Sequence, residues 1–306
     1  MTFGSISRHI PVYLLLATAC GIGTADTAPL VVAHRAAPSH WPENSRSAVR
    51  ESLERGYPAI EIDIVLTSDG VPVIAHDPWL EPDRCTLSDG KPFGERILVA
   101  EISSERLLDY KCGGIPDPEF PDAQVLAEPL LQLDELIEAV RDYPETWIQL
   151  DVKYEPGLTP PPEVFAEEIL GRWTTSGLEN PWYVSANLPE LLVAFRDWMD
   201  GDPITTILIY PRFPPDSDST RVALGTELLG SLGIRDALGT AKRAEADGIA
   251  WPFEIIDWHA ARAARDSGLQ VMVWTVNEEK DLDRFCRWPI DALITDFPER
   301  APCLPR

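Results

Sequence analysis

Eight short, almost continuously apolar runs, most of them separated by stretches of helical periodicity, leave few folds open to this chain of 306 residues. A strand buried on one face alternates apolar and polar residues; a run apolar throughout is buried on both faces, as in a parallel sheet covered by helices. The runs are Leu30–His34, Ala59–Val65, Trp147–Val152, Trp182–Ala186, Ile204–Tyr210, Gly248–Trp251, Gln270–Thr275 and Ala292–Thr295. The helical stretches are Ser45–Arg55, Leu131–Asp142, Pro162–Ser176, Pro189–Trp198, Ile234–Ala246, Ile256–Ser267 and Glu278–Arg287. Repeated β-α units in this number point to an α/β chain closed into a (β/α)8 TIM barrel rather than an open sheet.

Two segments break the alternation. Val71-Pro-Val-Ile-Ala75 follows an Asp69-Gly70 turn signal and reads as an extra strand. Residues 78–128 are rich in Pro, Gly and charge, and read as a loop-rich insertion after the second strand, with too little apolar content for a core of their own. The Pro-rich stretches Glu155–Pro162 and Pro211–Ser219 read as further loops.

Ahead of the barrel, Arg8 precedes the apolar run Ile10–Ala19, whose length suits a signal peptide and is short for a membrane span. Two leaders fit. Residues 1–25 form a secretory signal, or the leader ends at Ala19 and Cys20 becomes a lipidated first residue, with Ala17 where a lipoprotein signal usually has leucine. Either way the barrel domain, residues 26–306, is expected outside the cytoplasm, in the periplasm or the medium, with a lipid anchor at Cys20 as its one route to a membrane. Cys85, Cys112, Cys286 and Cys303 then make an even set, which in an exported chain suggests two disulfides. Cys85–Cys112 with Cys286–Cys303 is the most economical of the three pairings, among which the sequence does not choose. None of these cysteines has the close spacing of a zinc site.

Acidic residues outnumber basic ones 50 to 26, a net charge of −24. Such a surface repels nucleic acid and anionic membranes, so a phosphodiester substrate must have its charge met locally, by a metal and a few bases. In a (β/α)8 enzyme the reactive groups come from the C-terminal ends of strands. Here those ends carry His34-Arg35, Glu61-Ile-Asp63, Asp151-Val-Lys153, Trp274-Thr-Val-Asn277 and Thr295-Asp296, and the extra strand runs into His76-Asp77. Strand alternation puts Glu61 and Asp63 on one face. Close carboxylates repel unless a cation sits between them, and all-oxygen ligands favour Ca²⁺ or Mg²⁺ over zinc. With Arg35 and Lys153 such an ion would bind a phosphodiester, and two histidines would supply base and acid. Each residue has a duller reading: a satisfied histidine, a solvent-facing acidic pair, a core Trp274, a turn-capping Asp296. Those readings suit single residues better than the whole set.

Together, His34-Arg35, Pro42-Glu43-Asn44-Ser45, Glu61-Ile-Asp63, Thr67-Ser-Asp69-Gly70, His76-Asp77, Glu128-Pro-Leu-Leu131, Leu133-Asp-Glu135, Asp151-Val-Lys153, Val273-Trp-Thr-Val-Asn277 and Asp291-Ala-Leu-Ile-Thr-Asp296-Phe-Pro298 resemble the glycerophosphodiester phosphodiesterase family. The resemblance runs from about Val31 to Pro298. It implies a TIM barrel and hydrolysis of glycerophosphodiesters to glycerol 3-phosphate and an alcohol, with one bound divalent cation, Ca²⁺ or Mg²⁺. Carried over position by position, it implies His34 and His76 as the catalytic pair and Glu61, Asp63 and Asp151 as metal ligands. Arg35 and Lys153 fall at phosphate-binding positions, and Glu43, Asn44 and Trp274 at supporting or substrate-lining ones.

Two departures stand out. Ala36 replaces the glycine usual after His-Arg, where a left-handed backbone suits alanine poorly. Asp151 replaces the usual third-ligand glutamate, as in sphingomyelinase D-type phospholipases. A lysophospholipid is therefore an alternative substrate, and a lysophospholipase D an alternative class. A catalytically silent phosphodiester-binding surface protein and a two-carboxylate glycosidase are more distant alternatives, the latter leaving both histidines without work.

Overall fold

The computed structural model of the chain describes residues 28–210 and 237–305. Every one of the eight apolar runs is a strand: β1 (Leu30–Ala33), β2 (Ala59–Leu66), β3 (Trp147–Val152), β4 (Trp182–Ala186), β5 (Thr206–Ile209), β6 (Gly248–Pro252), β7 (Gln270–Trp274) and β8 (Ala292–Thr295). Neighbours in sequence are parallel neighbours in space, and β1 pairs with both β2 and β8, so the sheet closes into a (β/α)8 barrel. Closure satisfies the backbone of β1 on both sides and leaves the parallel sheet no free edge there. The leader, Cys20 and the expected loop Pro211–Ser219 lie outside the described residues.

The helices are α1 (Arg46–Glu54), α2 (Leu133–Val140), α3 (Pro162–Thr175), α4 (Pro189–Met199), α5 (237–243), α6 (Trp258–Asp266) and α7 (Glu279–Phe285). Their starts follow local chemistry. Ser45 and Asp257 accept hydrogen bonds from the backbone N–H groups of Ala48 and Ala260, and Gln132 and Glu135 cap α2 reciprocally. Proline opens α3 and α4, where a missing N–H costs nothing.

Period-two alternation divides each strand between two cores. Ile60, Ile62 and Ile64 of β2 pack outward with Leu133, Leu136 and Phe165 of the helical layer. Inside the barrel, Val32, Ala59, Tyr183, Ile207, Ala250, Met272, Ala292 and Ile294 form a second cluster, against which Trp147 packs. Every strand thus contributes an apolar residue to the interior, which leaves the polar interior positions of β2, β3 and β4 to be explained.

The extra strand is Pro72–Ile74, antiparallel to β2 with Ile74 opposite Ile64. Residues 78–128 hold two small antiparallel sheets, Trp79–Leu80 with Ile97–Leu98 and Cys85–Leu87 with Tyr110–Cys112. The insertion contributes Leu80, Cys85, Val99 and Leu107 to a small apolar cluster that is not its own. Its foundation is borrowed, because Val65 and Val73 from β2 and the extra strand complete it. Both economical disulfides are present, and Cys85 and Cys112 lie opposite each other in their sheet.

Gly248 opens β6 where a Cβ would lie 2.8 Å from the Gln270 carbonyl oxygen and 2.6 Å from Ile207 Cδ1. Gly248→Ala should therefore destabilise the protein by about 1–3 kcal/mol and lower its melting temperature by several degrees in circular dichroism. An unchanged melting temperature would contradict this packing of β6 between its neighbours.

Candidate metal centre and active site

Three carboxylates share the interior of one barrel wall. Alternation turns Glu61 and Asp63 of β2 inward, and the parallel register sets Asp151 of β3 directly opposite Asp63. One oxygen from each lies within 4.8 Å of the others, and all three residues are buried, Asp63 completely. Lys153 closes the group: its Nζ contacts Asp63 Oδ1 at 2.7 Å and also pairs with Asp151 Oδ2. The contact with Asp63 is an ion pair without hydrogen-bond geometry. Three inward carboxylates form an all-oxygen donor set that fits a hard divalent cation.

The electrostatics divide these acids unequally. Burial pushes the Glu61 carboxyl well above the usual range, and the charges of Asp63 and Asp151 add to that, against Lys153. Burial acts on Asp63 in the same sense, but Lys153, His76, Arg35 and His34 outweigh it and hold Asp63 well below the usual range. Lys153, which burial alone would discharge, is held firmly protonated by Asp151, Asp63 and Glu61.

His34 and Arg35 come from the turn that ends β1, shorter by one residue than expected because the backbone leaves the sheet at Ala33. Arg35, Ala36 and Ala37 all have left-handed φ, 47°, 59° and 65°. The alanine at the usual glycine position therefore adopts the glycine conformation, fully buried. The turn is tied down by the Asn44 N–H donating to the Arg35 carbonyl at 2.9 Å and by Ser52 Oγ donating to the Ala36 carbonyl at 3.0 Å. What it achieves is local: the Arg35 N–H donates to Glu61 Oε2 at 2.7 Å. The Arg35 guanidinium bonds Glu43 at 2.6 Å and lies 3.5 Å from Asp63. Asn44, also left-handed, donates from Nδ2 to Asp63 Oδ2 at 2.7 Å and accepts from the Asp63 N–H at 3.2 Å.

Each histidine has its own carboxylate. His34 Nδ1 meets Asp296 Oδ1 at 2.6 Å, and Asp296 is fixed in turn by Asn277 Nδ2 at 2.6 Å. The His34 charge, together with that hydrogen bond, overcomes burial and keeps Asp296 below its ordinary range. The hairpin after β2 returns His76 to the level of Asp63, with the Ala75 N–H donating to the Asp63 carbonyl at 3.1 Å. His76 Nδ1 meets Asp77 Oδ1 at 2.9 Å, a bond that lowers Asp77. A carboxylate can only accept, so both rings carry a proton on Nδ1 and turn Nε2 away from that carboxylate.

Of the residues singled out in the sequence, Arg35, Glu43, Asn44, Glu61, Asp63, Asp151 and Lys153 are linked in this one network of contacts, and His34 and His76 act on its Asp63 electrostatically. Trp274 stands apart, two strands around the barrel from β1, with Nε1 donating to the Ala250 carbonyl at 3.2 Å. Sequence reasoning placed Asp296 at a strand end, with a turn cap as its duller reading, but gave it no part in the site. It also missed a buried chain behind Asp151: Tyr183 OH donates to Gln149 Oε1 at 2.8 Å, Gln149 Nε2 to Ser185 Oγ at 2.9 Å, and Ser185 Oγ to Asp151 Oδ1 at 2.8 Å. Its signal was the polar residue at every second position of β3 and β4.

The family model described as the glycerophosphoryl diester phosphodiesterase family matches residues 34–188 and 226–300, which include every residue of this network. A glycerophosphodiester phosphodiesterase of Caldanaerobacter subterraneus subsp. tengcongensis is 26% identical over 271 residues, 88% of this chain and 95% of that protein. Glycerophosphodiester phosphodiesterase 1 of Rattus norvegicus is 42% identical over 94 residues, 31% of this chain and 26% of that protein. Among solved structures, a phosphodiesterase of Oleispira antarctica in complex with the product sn-glycerol-3-phosphate superimposes with a TM-score of 0.65 at 20% identity, over 90% of this chain and 95% of that one. The glycerophosphodiester phosphodiesterase of Thermotoga maritima does so with a TM-score of 0.57 at 19% identity, over 89% and 96%. At these identities the structures bear on the barrel fold alone.

Glu61 holds its proton more tightly folded than unfolded. Its contribution to stability is present below the ordinary carboxylate range and is lost as pH rises through its raised value. A divalent cation must displace that proton, so its binding strengthens with pH. Calcium or magnesium should raise the melting temperature of chelator-stripped protein more at about pH 8 than at about pH 5. Glu61→Gln should abolish the rise. An equal rise at both pH values, or an undiminished one in the variant, would contradict this site.

Proposed function

The chain belongs to the glycerophosphoryl diester phosphodiesterase family, and on that premise we propose that it hydrolyses glycerophosphodiesters to glycerol 3-phosphate and an alcohol. The observation that carries the reading is the meeting, at one barrel mouth, of an all-carboxylate cation site with two histidines that each lean on a carboxylate. Calcium or magnesium suits those ligands. Bound there, it would polarise a phosphoryl oxygen and offset the charge that builds on it.

The remaining chemistry falls to the protein. Arg35 and Lys153 bring fixed positive charge to the phosphoryl oxygens. His34, its Nδ1 held by Asp296, takes the proton of the attacking oxygen at Nε2. That oxygen supplies the new P–O bond; it comes from water directly, or from the neighbouring glycerol hydroxyl, in which case a cyclic phosphate forms and a water then opens it to glycerol 3-phosphate. The bond to the alcohol breaks with its electron pair on the departing oxygen, which takes a proton from His76. Glu43 acts through Arg35 and Asn44 through Asp63, as positioning residues. We place the protein outside the cytoplasm, a reading that the two disulfides support.

Asp151, where family members usually carry glutamate, favours a second reading, a lysophospholipase D of the sphingomyelinase D type. Side-by-side assays separate the two: turnover of glycerophosphocholine supports the first, and turnover of lysophosphatidylcholine alone the second.

His34→Ala and His76→Ala should each lower turnover of a glycerophosphodiester by about 10²–10⁴-fold with little change in melting temperature, and EDTA should abolish wild-type release of glycerol 3-phosphate. Near-wild-type rates in either variant would overturn the acid–base assignment.

A further inference from the structure

A cavity of about 380 Å³ opens beside His76, between the loop that carries Glu43 and the insertion. His76 and Asp77 line it, whereas His34, Glu61 and Asp151 do not. It therefore lies on one side of the site, that of the histidine assigned to the leaving alcohol. Its size is at the small end of ligand pockets, roughly 300–1,000 Å³, which suits a compact group.

The walls are aromatic and acidic together. Trp41, Trp79 and Phe120 line the cavity, as do Glu81, Asp83 and Asp117. Arg84 is the only arginine or lysine among the lining residues, and its guanidinium is bonded to Glu43 at 2.6 Å. Among the described residues, no ion pair joins Glu81, Asp83 or Asp117 to a base. The Arg96 guanidinium lies 4.2 Å from the Trp79 ring centroid, a cation–π contact at the cavity wall. Asp117 also acts on Arg84 at a distance, but the acids lining the cavity outnumber that one base, and carboxylates in excess beside π-faces in a half-enclosed space attract positive charge and repel negative charge.

Resting on the phosphodiesterase reading above, we propose that this cavity receives the leaving alcohol and selects one that carries a positive charge, an amino or quaternary ammonium alcohol. The two ends of the substrate then meet opposite fields. Its phosphate meets the cation site, Arg35 and Lys153, and its cationic end meets the carboxylates of the insertion. An anionic alcohol is repelled, and a neutral one of the same shape gains nothing from those carboxylates.

Two esters of identical shape test this: glycerophosphocholine and the glycerophosphodiester of 3,3-dimethylbutanol, in which carbon replaces the charged nitrogen. Wild type should show a kcat/KM roughly tenfold higher for the choline ester. The double variant Glu81→Gln/Asp117→Asn should bring that ratio close to one while still hydrolysing the neutral ester. Tetramethylammonium should inhibit wild type competitively and the double variant much less. A wild-type ratio near one, or a ratio that the double variant leaves unmoved, would overturn the proposal. Wild type inactive on both esters would instead overturn the phosphodiesterase reading, and this proposal with it. Should the double variant fail to fold, Glu81→Gln alone, on the half-buried residue, should lower the ratio; an unmoved ratio there counts against the proposal equally.

Discussion

A lysine ammonium among three buried carboxylates is the interaction on which the rest of the barrel mouth depends. Glu61, Asp63 and Asp151 sit inside a protein wall, where like charges repel far more than in water. Lys153 and Arg35 answer that repulsion, while burial and the neighbouring carboxylates push the Glu61 carboxyl up. Most of the neighbouring geometry serves to hold this balance. The parallel register pairs Asp63 with Asp151. The hairpin after β2 returns His76 to the same level, and Asn44 grips both the Asp63 carboxylate and its backbone.

The turn after β1 shows what the site costs. Three consecutive non-glycine residues in left-handed conformation carry about 1–2 kcal/mol of strain each, and such strain persists only where the surroundings over-determine it. Here they do. The turn spends its backbone donors and acceptors on Glu61, Asn44 and Ser52, and it sets His34 against Asp296 from the far end of the chain. Because β1 lies between β2 and β8, closure of the barrel is what brings a histidine at one terminus to an aspartate at the other.

The same logic explains what was legible in the sequence. The eight strands announced themselves because parallel strands buried on both faces have few polar residues to disguise them. Glu61 with Asp63, and Asp151 with Lys153, stood out as polar pairs with period two in otherwise apolar strands. The alliance of His34 with Asp296 spans 262 residues and exists only through closure, so the sequence placed Asp296 at a strand end without showing its partner. The chain from Tyr183 through Gln149 and Ser185 was written in the same alternation but was hidden by residue types that bear no chemistry alone. The insertion was least readable. Its core borrows Val65 and Val73 from the barrel, and its residues over the cavity lie in irregular loops without a period to betray them.

The central claim is that one hard cation belongs between Glu61, Asp63 and Asp151. The most direct test is a crystal soaked in manganese, which scatters anomalously and stands in for magnesium. The expected result is a single strong anomalous peak inside the barrel mouth, within about 2.0–2.6 Å of an oxygen from each of the three carboxylates, and its loss in Asp151→Ala. A peak bound without Asp151, or no peak at this position while manganese supports activity in solution, would contradict it.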